Sequence, residues 1–182
     1  MKQLLIDVAH SDMGFKIRHM MVSNVKGTLT DYSGGMKYES EDMSDAEIRF
    51  EGDVRSITTG NTDRDTHLNG EDFFHTERFP KIYFESTSVD INNGKLKGQL
   101  TIKDTTKEVE LSVDYNGRKV DPWGNIKHGF EIKGTINRSD FDLTWNTVLE
   151  TGGFLISDEV KLDLDIQMLE TVGELQSEET ML

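Results

Sequence analysis

Residues 95–115 read KLKGQLTIKDTTKEVELSVDY, and apolar and polar side chains alternate along most of this stretch. From 95 to 103 one phase holds leucine, glycine and isoleucine and the other holds lysine, glutamine and threonine, and the alternation resumes from 108 to 115. Successive side chains of a β-strand point to opposite faces, so each half predicts a strand with one buried and one solvated face. The polar Asp104-Thr105-Thr106 between them predicts a tight antiparallel turn.

The same period of two recurs along the rest of the chain, clearly at 46–54, 130–137 and 160–168 and more weakly at 13–19, 25–31 and 82–91. Turn-forming clusters separate these segments, among them Ser33-Gly34-Gly35, Asn92-Asn93-Gly94, Asn116-Gly117 and Asp121-Pro122-Trp123-Gly124. Strands that are apolar on one side only are typical of antiparallel sheets, not of a parallel α/β core. The chain is therefore predicted to be all-β, with eight or nine strands that close as a barrel or pack as a sandwich.

One segment, residues 62–70, departs from this alternation and predicts a short helix. Thr62 is placed to cap it, Asp65 stands three residues later where a capping-box acid belongs, and Gly70 is placed to end it. Two adjacent phenylalanines, Phe73 and Phe74, follow at once. A short helix with such a pair, inserted between strands, is expected to plug or cover one end of a barrel.

The length of 182 residues fits one domain with a substantial core. We predict that this domain spans residues 1–170. The polar and acidic residues 171–182 show no period and are predicted to form a disordered tail.

The chain carries 34 acidic and 20 basic residues, a net charge of -14, which repels phosphate backbones and anionic lipid head groups. No nucleic-acid partner and no stable membrane insertion are therefore expected. No apolar run approaches the length of a secretory signal or of a membrane-spanning helix, so a cytoplasmic location is predicted. The absence of cysteine excludes disulfides, thiolate metal sites and cysteine nucleophiles.

Glycines fall in the apolar phase of several strands, at Gly27, Gly52, Gly98 and Gly134. Glycine lets barrel strands coil sharply, and it also leaves volume beside apolar neighbours that would suit a ligand. The pattern alone leaves both interpretations open. Large apolar residues in the same phases are, without further information, best explained as an ordinary core.

Several ordered blocks cover the chain from about His10 to Met168: His10-Ser11, 15–27 (FKIRHMMVSNVKG), 56–61 (SITTGN), 64–68 (RDTHL), 72–74 (DFF), 79–87 (FPKIYFEST), 100–103 (LTIK), 106–109 (TKEV), 137–141 (NRSDF), 143–146 (LTWN) and 157–160 (SDEV). Together these blocks resemble the YceI-like family of lipocalin-like, polyisoprenoid-binding proteins. Two positions depart from the family pattern, since Asp104 and Asp142 stand where glycine is usual.

This resemblance implies an extended eight-stranded antiparallel lipocalin-like barrel with one short helix. It implies binding and sequestration or transport of a long isoprenoid or acyl chain, with no catalysis and no cofactor. Some members are dimers, so a homodimer is compatible with it. The resemblance also favours the cavity interpretation of the inward glycines and aromatic residues. The predicted ligand contacts are Phe15, Ile17, His19, Ile48, Phe50, Arg64, His67, Phe73, Phe74, Phe84, Gly98, Leu100, Phe130, Ile132, Phe141 and Trp145.

Alternative chemistry has weaker support in the residues. The five histidines include no H-x-H or H-E-x-x-H spacing, so no metal site is predicted. Ser139 lacks the G-x-S-x-G setting of a hydrolase nucleophile, and no catalytic residue is predicted. Arg64 would bind a ligand phosphate or, as we prefer, pair with a strand carboxylate. The rival functions are an enzyme for a lipid-like substrate using His67, and a solid-core interaction module without ligand.

Overall fold

The structure, a computed structural model, describes residues 1–171, and almost all of its regular elements are β-strands. Within these residues there is one α-helix, α1, which spans Thr62–Asn69. The strands are β1 (Lys2–Ile6), β2 (Asp12–His19), β3 (Ser23–Leu29), β4 (Tyr32–Tyr38), β5 (Glu47–Asp53), β6 (Ile57–Thr58), β7 (Lys81–Asp90), β8 (Lys95–Ile102), β9 (Thr105–Val120), β10 (Ile126–Asn137) and β11 (Ile156–Thr171).

These strands form a closed eight-stranded antiparallel barrel, as predicted. Each of the first three barrel strands is interrupted and consists of two short strands. The first consists of β1 and β2, which lie end to end along β11. The second consists of β3 and β4, which pair with β2 and β1, and the third consists of β6 and β5, which pair with β3 and β4. The sheet then continues through β7, β8, β9 and β10 to β11. Pairing of β1 with β11 closes the ring, so no edge strand of the barrel is left open there.

Polar side chains form hydrogen bonds at the points where these long strands are interrupted. A 3₁₀ turn at Val54–Ser56 separates β5 from β6, and Asp53 accepts hydrogen bonds from the Arg55 backbone N–H at 2.9 Å and guanidinium Nη2 at 2.6 Å. Between β1 and β2, the Asp7 carboxylate accepts from Lys127 Nζ at 3.2 Å. At these two breaks the Arg55 N–H donates to Asp53 and the Asp7 N–H donates to the Gln167 carbonyl at 2.8 Å, so these backbone groups keep a partner where the strand bends.

The stretch with the clearest alternation forms β8 and β9, and their turn lies at Lys103, which has a left-handed φ of 58°. Two predicted turns are wrong, because β4 runs through Ser33-Gly34-Gly35 and β9 continues through Asn116-Gly117 to Val120. The register shifts there, with Tyr115 opposite Phe130 and Gly117 opposite Gly129, so the extra residue forms a β-bulge.

The short helix is present, but its cap is Asn61, not Thr62. The Asn61 Oδ1 accepts the Arg64 backbone N–H at 2.9 Å, and Thr62 is the first helical residue. Asp65 does not close a capping box. Its carboxylate accepts the Thr59 N–H at 2.9 Å, which ties the helix to the end of β6.

Thr171, the first residue of the predicted tail, lies in β11 and pairs with Gln3. Closure of the barrel through β1 keeps the strand regular to this point. The rest of the predicted tail, 172–182, lies outside the described residues.

Candidate functional site

The interior of the barrel holds a cavity of about 590 Å³, walled almost wholly by the inward apolar phase of the strands. All the predicted ligand contacts except Gly98 and Phe141 line it. They come from β2 (Phe15, Ile17, His19), β5 (Ile48, Phe50), β7 (Phe84), β8 (Leu100), β10 (Phe130, Ile132), α1 and the turn after it (Arg64, His67, Phe73, Phe74) and the segment before β11 (Trp145).

One end of the cavity, the floor, is closed by side chains that water does not reach. Leu96 is 1% and Met36 2% exposed, and Val113 and Met168 are similarly buried. The polar lining residues lie at the other end, beside α1, where Asp63 and Arg64 are the exposed members of the lining. The cavity therefore meets solvent at the helix end, which we call the mouth.

An aromatic cluster stands at the mouth. The His67 ring meets Phe73 and Trp145 edge-on, at centroid distances of 5.0 and 4.8 Å, and Phe73 and Trp145 lie 5.3 Å apart. His67 Nε2 lies 2.9 Å from the Asp72 carboxylate, which fixes the plane of the imidazole. The helix, as predicted, covers one end of the barrel through this cluster.

Arg64 does not pair with a strand carboxylate, so that preference was wrong. Its Nε donates to Thr59 Oγ1 at 2.7 Å and its Nη2 to the Thr59 carbonyl at 2.9 Å, both within its own loop. The loop turns back on the helix, which brings Thr59 nearer than any carboxylate. Arg64 remains a wall residue at the mouth.

Gly98 is not part of the cavity wall, because a neighbouring ring fills the volume that its missing side chain leaves. A Cβ added there would lie 2.4 Å from Phe84 Cζ and 2.6 Å from the Glu85 carbonyl oxygen. Gly27 lies in the same way against the ring of Phe15, 2.3 Å from a built Cβ. These glycines seat aromatic rings that themselves line the cavity, and they add no volume of their own.

Phe141 is also outside the wall. It is 1% exposed and packs with Leu100, Ile102 and Leu143 in a small core of its own. It follows β10 in a 3₁₀ turn, Arg138–Phe141, that carries the ring behind the strand ends. Its hydrophobic character is used for packing, the ordinary role of a buried phenylalanine.

Arg138 is a mouth residue that sequence reasoning passed over. Its buried guanidinium donates to four backbone carbonyls: Leu143 at 2.7 Å, Trp145 at 2.8 Å, Ser157 at 2.9 Å and Ile156 at 3.4 Å. Burial lowers the pKa of the Arg138 side chain, although guanidinium stays protonated. The signal that could have identified it is its position in the 137–141 block, directly before Ser139.

A second polar cluster lies beyond the floor. His128 is 2% exposed, with Nε2 3.1 Å from Glu170 Oε2 and Nδ1 2.9 Å from the Tyr115 hydroxyl. A carboxylate only accepts, so Nε2 carries a proton. The hydrogen bond from His128 lowers the pKa of Glu170, and burial raises the pKa of Tyr115. This cluster ties β9, β10 and β11 together below the cavity.

Ser139, which the sequence analysis considered as a nucleophile, has a structural role. Ser139 Oγ donates to Asp158 at 2.8 Å, so its hydroxyl serves the turn. Across residues 1–171, no three histidine or acidic side chains are grouped in a way that would hold a metal ion.

Comparison with known proteins agrees with this architecture. A family model described as the YceI-like domain matches residues 5–168. UPF0312 proteins of Staphylococcus aureus and Staphylococcus epidermidis are each 38% identical over 164 residues, which covers 90% of this chain and 95% of theirs.

Solved structures with the same fold include a Campylobacter jejuni YCEI protein, 32% identical with a TM-score of 0.70, covering 91% of this chain and 96% of that one. Burkholderia cenocepacia BcnA has a TM-score of 0.77 at 21% identity, covering 89% of this chain and 98% of its own. A polyisoprenoid binding domain from Saccharophagus degradans has a TM-score of 0.65 at 16% identity, and the match covers 92% of this chain and 98% of that one.

In the described part of the chain, no helix is long and apolar enough to cross a bilayer. With a closed barrel, an apolar cavity and a family match along nearly its whole length, the chain belongs to the YceI-like domain family.

Proposed function

We propose that this protein binds a long apolar chain, polyisoprenoid-like or fatty-acyl, inside the barrel and so sequesters or transports it. The observation that carries the proposal is the cavity of about 590 Å³ with an apolar wall from floor to mouth. Ligand cavities of about 300–1,000 Å³ with few polar groups are the ordinary sites for small apolar molecules. The description of a structural relative as a polyisoprenoid binding domain supports the same class of ligand.

The distribution of polar groups gives the ligand a direction. The floor offers only apolar contacts, whereas His19, Arg64 and His67 stand at the mouth. The chain would lie toward the floor, where each methylene removed from water contributes about 0.8 kcal/mol before ordering costs. A polar head would lie at the mouth, where it keeps contact with water.

The first test is organic extraction of the purified protein followed by mass spectrometry, with native mass spectrometry of the intact chain. We expect one long-chain compound per protein chain. The matched control is Leu164→Trp, which directs an indole into the cavity from a wall position and should leave the extract depleted. If titration with polyprenyl and fatty-acyl probes gives no saturable binding, the proposal is wrong.

We propose no covalent step. His67 and His19 are the histidines at the mouth. We assign His67 a packing role without catalysis, because Asp72 and its aromatic neighbours hold the ring in place. His67→Ala should therefore keep stoichiometric binding of a polyprenyl probe, and no probe should be converted by either protein. Conversion that is lost in His67→Ala would favour the enzyme. The other rival, an interaction module with a solid core and no ligand, is disfavoured because the barrel encloses a cavity of about 590 Å³.

The cytoplasmic location and the homodimer stay predictions. Fractionation of the source cells with detection of this chain tests the first. Sedimentation equilibrium of the purified protein, with a mass of one or two chains of 20.7 kDa, tests the second.

A further inference from the structure

Large apolar side chains stand exposed around the mouth, on the tips of two neighbouring hairpins. Met21 is 69% and Val22 79% exposed, beside Met20, on the turn between β2 and β3. Val148 and Phe154 are exposed on a second hairpin, where they face each other across an isolated β-bridge. We call these five residues the apolar rim.

The backbone makes the methionines of the rim unusual. Met20 and Met21 have φ angles of 53° and 59°, so two bulky residues in succession adopt the left-handed conformation. They lie in the three-residue loop between His19 and Ser23, inside the turn that the Val22 N–H closes on the His19 carbonyl at 3.1 Å. Turns with two successive left-handed residues normally use Asn-Gly or Gly-Gly, because larger side chains are disfavoured there. Met20 and Met21 therefore adopt an unfavourable backbone conformation although their exposed side chains do not pack in the core.

The rim is continuous with the cavity. The Met20 N–H donates to the Leu155 carbonyl at 2.7 Å, which joins the two hairpins, and His19 pairs with Ile156 directly below. His19, Leu155 and Ile156 all line the cavity. The exposed tips therefore adjoin the wall of the cavity.

Charge is depleted at the rim. Residues 20–23 carry no acidic or basic side chain, and residues 145–155 carry only Glu150, in a chain that is 30% charged. The nearest charge on the first hairpin is Arg18, whose guanidinium donates to the Met21 carbonyl at 3.2 Å. The net charge of -14 elsewhere repels an anionic surface and also a second copy of the chain. These features together favour an apolar partner without net charge.

We propose that the apolar rim docks the protein on an electrically neutral lipid bilayer, with the two hairpin tips inserted among the head groups and the mouth against the membrane. The inference rests on the proposed function, since an apolar ligand would then pass between bilayer and cavity without crossing water. A protein partner fits less well, because a stable interface needs about 800 Å² from each side and these are two narrow, convex tips. Fluid lipid accommodates such tips, and aromatic and aliphatic side chains of this kind settle at membrane interfaces.

The test is co-sedimentation of the full chain with sucrose-loaded phosphatidylcholine vesicles. We expect Met21→Asp and Phe154→Asp each to lower the partition coefficient roughly tenfold. The matched control is Trp123→Asp, since Trp123 is 83% exposed on the β9–β10 turn at the floor end and lies outside the cavity wall. This control should change partitioning less than about twofold.

A vesicle-free titration with a water-soluble fluorescent fatty-acid probe separates docking from cavity binding. The rim variants should bind this probe as the unaltered protein does. Probe binding that fails while vesicle binding persists would contradict the proposed function and leave docking intact. Docking itself is overturned if the unaltered chain does not sediment with the vesicles, if Trp123→Asp loses as much as Met21→Asp, or if the rim variants convert a dimer to a monomer.

Discussion

At the scale of single residues, the glycines of the inward phase are sites where backbone and ring meet. Gly98 in β8 lies under the ring of Phe84 in β7, and Gly27 in β3 lies under Phe15 in β2. Each pair packs a large ring across two strands, and the ring then forms part of the cavity wall. The glycine is required because the ring already occupies the position of a side chain.

We predict that Gly98→Ala lowers the free energy of unfolding by about 1–3 kcal/mol, because the methyl group overlaps the Phe84 ring and the Glu85 carbonyl. Urea unfolding measures this. Gly129→Ala is the control, since the atom nearest to its built Cβ is Asn116 Cβ at 3.3 Å. A Gly98→Ala variant as stable as this control would show that the ring moves aside at little cost.

Arg138 fixes the mouth through backbone carbonyls, so its shape matters as much as its charge. Lysine has no planar fork and cannot reach all of Leu143, Trp145 and Ser157 at once. We predict that Arg138→Lys costs about 2 kcal/mol or more in urea unfolding, because buried carbonyls lose their donors. Arg118→Lys, at a half-exposed arginine with one hydrogen bond of 3.4 Å to Glu170, should cost less than about 0.5 kcal/mol. Equal losses in the two variants would contradict this role for Arg138.

At the scale of elements, the broken strands depend on local polar contacts. The hydrogen bond from Arg55 lowers the pKa of Asp53 from 3.8 to about 2, at the bend between β5 and β6. A carboxyl whose pKa is lower in the folded chain stabilises that chain above its unfolded pKa. The contribution disappears as the pH falls through the folded pKa.

We therefore predict that Asp53 contributes about 2 kcal/mol of stability at neutral pH, and that this is lost between about pH 5 and pH 2. Urea unfolding at a series of pH values measures the loss. Asp53→Asn should be less stable at pH 7 and should lack this part of the pH dependence. Parallel pH curves for the two proteins would contradict the assignment.

At the scale of the whole molecule, the barrel is tightly packed where β1 joins β4 and β11, which we call the seam, and it encloses a cavity farther along. Leu4, in the seam between β1 and its neighbours β4 and β11, is fully buried and lies outside the cavity wall. Leu164 of β11 points into the cavity and keeps partial exposure. Two leucines of the same sheet thus meet different surroundings.

Leu4→Trp should destabilise the protein by about 3 kcal/mol or more, because the seam has no room for an indole. Leu164→Trp should cost less than about 1 kcal/mol, because its ring enters the cavity. Thermal and urea unfolding of ligand-stripped protein compare the two. Similar losses would mean that the interior closes around its side chains in solution.

Much of the fold could be predicted because its information is local. The alternation at 95–103 and 108–115 specifies which side of each strand is buried, whatever the strand pairs with. The alternation left a sandwich open, and the family resemblance of blocks such as 137–141 selected the barrel. The cap at Asn61 and the bulge at Asn116 were missed because competing polar residues offer equivalent local signals.

The sequence by itself determined an all-β chain, the inward phase of its strands, the helix at one end and part of the cavity wall. Only the tertiary structure decided where interior space is empty and where it is filled, because that depends on side chains from different strands. It placed the ring of Phe84 over Gly98, withdrew Phe141 into a separate core and joined Arg138 to carbonyls as far away as Ser157. Alternation records the face on which a side chain lies, whereas volume is set by the neighbours that folding brings to that face.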